Sequence, residues 1–195
     1  MRINRQLILN KYKQNPGTYS LFSRRYESQL FTENLNESTK SDIVSALDTA
    51  TKKRQKIQPI YVYYLGFDTK ALELKFKVTS GTKKGVYWFQ RIRIKDLKKS
   101  ILAFKNDKNY KQSDWIDLIL GSDIEVHCNC PAYKYYWQNI ATELDYAIEK
   151  EDRPANIRNP SKKGSVCKHL AKVLIYMPNN RMDILKDLKK AFNIK

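Results

Sequence analysis

At 195 residues, with 42% hydrophobic and 12% aromatic side chains, the chain is long enough to bury one sizeable core and is not composed like a disordered polyelectrolyte. Its formal net charge of +17, spread along the whole length without a block of consecutive cations, suits nucleic acid or an acidic protein partner and does not choose between them. Three cysteines, an odd count, do not make a disulfide framework, no apolar run is long enough to span a bilayer, and "MRINRQLILNKYKQ" lacks a secretory pattern; a soluble protein of the reducing cytoplasm is expected, with no membrane partner.

Residues 1–58 are polar and poor in apolar periodicity, and read as an N-terminal arm or helical segment ahead of an α+β domain over 59–195. Within the arm, "NPGTYS" is a turn, and Ser41 precedes a helical stretch with Ile43, Val44, Ala46 and Leu47 on one face. "PIYVYYLGF" (59–67) reads as a first strand. "ALELKFKVTS" then alternates, with Leu72, Leu74, Phe76 and Val78 pointing one way and Glu73, Lys75 and Lys77 the other. "GTKKG" is a turn, and "VYWFQRIRI" resumes the alternation through Val86, Trp88, Ile92 and Ile94, which predicts an antiparallel hairpin. Its outward set of Lys75, Lys77, Arg91 and Arg93 makes a cationic face that also carries Tyr87 and Phe89, a pattern suited to a polyanion as well as to plain solvation.

A helix is predicted over 96–104, and a second in "KQSDWIDLILGS", capped by Ser113, with Asp114 in its first turn and Gly121 at its end. "DIEVHCNC" reads as a strand stopped by Pro131. "AYKYYWQNIATELDYAIEK" follows as one long helix with Tyr133, Tyr136, Trp137, Ile140, Leu144 and Ile148 along a face. After the basic loop "IRNPSKKGS" come a helix opened by "VCKHLAKVLIYM" and ended by Pro178, and a last helix in "NRMDILKDLKKAF".

The chemistry concentrates in two short stretches. Every cysteine and histidine falls between His127 and His169, as "HCNC" and "CKH". Side chains two apart on a strand share a face, so Cys128 and Cys130 can aim at one point. Inside a regular helix Cys167 and His169 would diverge by about 200°. At a helix start the first residue is not yet helical, and the two can converge. Together Cys128, Cys130, Cys167 and His169 make a Cys3His set, the donor set of a closed tetrahedral Zn²⁺ site of the structural kind. His127 points away from Cys128 on an alternating strand and is expected to pack or hydrogen-bond. The rival reading is a Cys167 nucleophile activated by histidine, but no orienting third residue or oxyanion loop accompanies it, and ligation would consume its lone pair. No phosphate-binding glycine loop or H-E-x-x-H motif is present, and no enzyme activity is expected.

The C-x-C…C-x-H order resembles the signature of SWIM-type zinc fingers, whose ligands would fall on Cys128, Cys130, Cys167 and His169. The 36 residues between Cys130 and Cys167 are a long gap that contains its own helix. Residues 123–174 are also similar to a segment of virion-associated proteins of large tailed bacteriophages, through Asn159-Pro160, Gly164 and Cys167-Lys168-His169. That resemblance implies a non-enzymatic structural protein of the virion, in the portal, neck or tail region, assembling in several copies with other virion proteins. The alternative is a SWIM-like nucleic-acid-binding protein whose Arg91, Arg93, Lys162, Lys163 and Lys168 contact DNA phosphates.

Overall fold

A computed structural model describes residues 5, 8, 60–106, 111–154, 156–157, 159 and 166–194. Their architecture is α+β, a four-stranded antiparallel sheet with helices against one face. Strands β1 (Val62–Asp68), β2 (Glu73–Thr79), β3 (Tyr87–Ile94) and β4 (Ile124–Cys128) lie side by side in chain order. Helices α1 (Leu97–Asn106) and α2 (Gln112–Gly121) fill the connection from β3 to β4, with Phe104 stacked on Trp115 at 4.6 Å between ring centroids. After β4 a helical segment passes through a π-helical turn (Tyr133–Trp137) into the short α3 (Gln138–Glu143). The chain ends in α4 (Lys168–Asn179) and α5 (Arg181–Ala191).

The alternation in the sequence decides which face of the sheet is covered. Leu74, Phe76, Val78, Ile92, Ile94, Ile124 and Val126 are buried on the helix side, where α4 crosses all four strands. Phe76 meets Tyr176 of α4 edge-on at 6.2 Å, and Phe67 of β1 meets Phe192 after α5 at 5.7 Å. Burial of this apolar surface, at about 25 cal/mol per Å², is the main favourable term holding the helices to the sheet.

Several sequence expectations meet a different local outcome. Leu72 belongs to the turn, at φ 58°, and not to the strand, because Asp68 accepts the main-chain N–H groups of Lys70 and Ala71 and closes the loop before Glu73. Ser113 lies inside α2, whose N-terminal flank is the extended Lys111, and its hydroxyl bonds Asp114 in place of capping. The long helix expected over 132–150 stops at Glu143. Asp145 adopts φ 58° and the chain returns to the sheet, with Val126 N–H donating to Tyr146 O and Ile148 N–H to Val126 O. These non-local bonds outweigh the helical periodicity of Leu144 and Ile148. Pro178 does not end α4 outright but occupies its penultimate position, where only one residue follows.

Of the expected arm, Ile8 is buried in the core and Arg5 donates a hydrogen bond to Leu174 O at 3.2 Å. The helix expected after Ser41 lies outside the described residues. No helix among the described residues is long and apolar enough to cross a membrane.

Candidate metal centre

The site forms where the end of β4 meets the start of α4. Cys128 is the last residue of β4 and lies on its helix-facing side, directly across from Gln90 of β3. Asn129 prolongs the pairing by one step: its N–H donates to Phe89 O, and its side-chain oxygen accepts Phe89 N–H at 2.8 Å. This clamp turns the chain so that Cys130 comes back to the same side. Helical structure opens at Pro131, with Lys134 N–H bonding Cys130 O. Proline suits a first helical position, where its missing N–H has no intrahelical partner.

From the other direction, Cys167 has extended backbone (φ −76°, ψ 162°) immediately before α4, and its carbonyl accepts the first helical bond, from Ala171. His169 lies in the first turn. The break in helical geometry at Cys167 removes the divergence that a continuous helix would impose, and both side chains reach the cysteines of β4.

One ligand atom from each of Cys128, Cys130, Cys167 and His169 lies within 4.8 Å of the others. All four residues are buried, none more than 3% exposed. A tetrahedral ion with bonds of about 2.0–2.3 Å needs its donors spaced on this scale. The donor chemistry also fits. Both ring nitrogens of His169 are buried without a hydrogen-bond partner, a costly condition that a metal bond to one of them relieves. His169 packs against Trp88 at 6.1 Å between ring centroids.

The three thiols crowd one another and differ in acidity. Burial pushes the Cys128 and Cys167 thiols well up, and the nearness of Cys130 adds to that push. Burial also works to raise Cys130, but its close neighbours Cys128, Cys167 and His169 outweigh it and hold this thiol well below its ordinary value. Tyr133 N–H donates to the Cys130 sulfur at 3.3 Å. Gln90, fully buried, donates from its side-chain nitrogen to Cys128 Sγ at 3.4 Å. The sequence marks Gln90 only as the one polar residue at an inward position of β3.

His127 lies on the opposite face of β4. Its Nδ1 is 3.5 Å from Glu149, its ring meets Tyr133 edge-on at 5.8 Å, and burial foremost lowers its basicity while Glu149 opposes this. It has no place among the clustered ligands.

The sheet face expected to be cationic is in part charge-compensated. Glu73 points outward as the alternation predicts, yet it is only 1% exposed, because Arg91 and Arg93 close over it. Arg93 spans Glu73 at 2.6 Å and Glu125 at 2.8 Å, and Arg91 also pairs with Glu149. Lys75 pairs with Asp68. The two arginines put forward for phosphate contact are thus engaged by carboxylates. Lys168 begins α4 beside the cysteines, and Lys162 and Lys163 lie outside the described residues.

No protein-family model matches the chain, and no curated protein or solved structure shows significant similarity to it.

Proposed function

We propose that this is a non-enzymatic structural protein in which a zinc ion clips the end of β4 to the start of α4, and that it serves in the virion as an assembly component of the portal, neck or tail region. The observation that carries the metal reading is the convergence of four buried donor atoms within 4.8 Å from two elements far apart in the chain. Zn²⁺ accepts thiolate and imidazole together, and four protein donors leave no position for substrate or water. Complete burial of Cys167 likewise favours ligation over nucleophilic attack, since an attacking sulfur must be reached by its substrate.

In this reading the clip adds to the apolar packing of the helices on the sheet. It joins a strand to a helix across the 36-residue connection and holds the sheet edge at β4 against the helical layer. Structural zinc contributes about 10–16 kcal/mol in small peptides, comparable to the whole stability of a domain. The virion setting rests on the resemblance carried by residues 123–174, and a rigid part that docks on neighbours in several copies suits such a clip.

Elemental analysis of the purified chain tests the clip. About one zinc per chain is expected, lost in Cys167→Ser together with several degrees of Tm. Freshly reduced protein that takes up no metal would end this reading. The virion role is tested separately, by mass spectrometry of purified particles: the chain found only in the soluble lysate would remove it.

A further inference from the structure

The helix-free face of the sheet is divided in two. Toward β4, Arg91 and Arg93 are neutralised by Glu73, Glu125 and Glu149. Toward β1 the face changes character. Tyr61, Tyr63, Tyr87 and Phe89 are each 41–57% exposed and lie together. The register places them in two rows across β1, β2 and β3. Tyr63, Lys77 and Phe89 form one row. Tyr61 and Tyr87 flank Thr79 in the next, with Thr79 N–H donating to Tyr61 O.

Lys77 stands in the middle of the rings. Its ammonium is 4.6 Å from the centre of the Tyr87 ring and 5.3 Å from that of Tyr63, and the two rings meet at 65° with centroids 6.5 Å apart. The turn between β2 and β3, at the Tyr87 end, adds the exposed Lys83 and Lys84. Among the described residues, no carboxylate pairs with Lys77, Lys83 or Lys84. The uncompensated positive charge of this face and its exposed rings therefore coincide.

We propose that this platform binds single-stranded nucleic acid, with bases stacked on Tyr63, Tyr87 and Phe89 and the phosphates met by Lys77, Lys83 and Lys84. Three features select this occupant. Exposed rings spaced across neighbouring strands of a sheet offer successive stacking surfaces, which unpaired bases use and a closed duplex cannot. The cations lie beside the rings, as a sugar-phosphate backbone runs beside its stacked bases. A lysine at the centre of the patch argues against a protein partner, because protein interface cores are depleted in lysine. Thr79, between Tyr61 and Tyr87, already accepts the Tyr61 N–H at 2.8 Å, and single-stranded DNA serves as the probe. This inference goes beyond the zinc-clip reading and does not depend on it.

Fluorescence anisotropy with a labelled twelve-nucleotide oligothymidylate and a duplex of equal length tests it on the full, metal-loaded chain. The single strand is expected to bind more tightly than the duplex. Phe89→Ala and Tyr87→Ala should each weaken binding about tenfold, and Phe89→Trp should retain it. Lys77→Ala should reduce the slope of log K against log salt by about 0.7. Zinc content and Tm, measured on the same samples, should not change, which separates loss of the platform from loss of the fold. Absence of binding, equal affinity of the alanine variants, or a preference for the duplex would overturn the proposal, and the first two would turn attention to a protein partner for this face.

Discussion

Arg5 donates to the main-chain carbonyl of Leu174, the carbonyl that Pro178 leaves without its helical donor. A residue four positions after Leu174 would ordinarily supply that N–H, and proline has none. The guanidinium, half-buried at the start of the chain, takes the place of the missing donor from 169 residues away. Arg5 is thereby tied to α4, the helix that begins at the candidate metal centre.

Arg5→Met keeps an apolar stem but removes the donor, and should cost about 1–2 kcal/mol in urea unfolding. In a Pro178→Ala background an N–H returns to Leu174, and the same arginine substitution should cost less. A double-mutant cycle reads the difference, with a coupling of about 1 kcal/mol expected. Equal cost in the two backgrounds would mean that Arg5 acts only by packing.

Gln90 donates to Cys128 Sγ from directly across the sheet, so it orients a candidate ligand without being one. Partners of this kind tune affinity more than fold. Gln90→Leu should keep the domain folded and weaken zinc retention about 10- to 100-fold in competition with a chromophoric chelator. Unchanged affinity would show that the sulfur needs no such donor.

Glu73 is a buried carboxylate beneath two arginines that are themselves about one-third exposed. Removing it leaves Arg91 and Arg93 with their remaining carboxylates and with access to water, which tempers the penalty of a broken buried pair. Glu73→Ala should destabilise by about 1–3 kcal/mol, read as a shift in the urea midpoint. Glu125→Ala, at a more exposed member of the same network, should cost less.

Acid should act on the molecule in two ways. Burial pushes the Cys128 and Cys167 thiols up, whereas ligation needs thiolates, so metal binding near neutral pH should release protons. Calorimetric titrations in buffers of different ionisation enthalpy measure this, and metal affinity should fall as pH falls. Independently, Asp68 is held down to about 2 by its hydrogen bonds from Lys75 and Ala71, and Glu151 to about 2 by its bonds from Arg153. Because these folded values lie below those of the unfolded chain, the stability they contribute is present above about pH 4 and is lost as pH falls toward 2. Both carboxyls are half-buried but their cation partners, Lys75 and Arg153, are exposed, so in the metal-free Cys167→Ser chain only a shallow decline of the urea midpoint is expected over that window.

Much of the candidate centre could be read from the chain alone. The alternation through Leu74, Phe76 and Val78 and again through Ile92 and Ile94 specified a hairpin and its buried face, because a strand has only two faces and one must leave water. The spacing of Cys128 with Cys130, and of Cys167 with His169, singled out four residues that the structure brings together. Tertiary structure alone decided what depends on atoms distant in sequence. Glu73 is outward by alternation yet buried, since Arg91 and Arg93 reach over it from the neighbouring strand. The helix after β4 ends at Glu143 because main-chain bonds to Val126 compete with its next turn. Gln90 becomes a partner of the centre only when β3 is paired with β4. Local pattern determines which way a side chain points; what it meets there is set by elements that the pattern of its own segment does not contain.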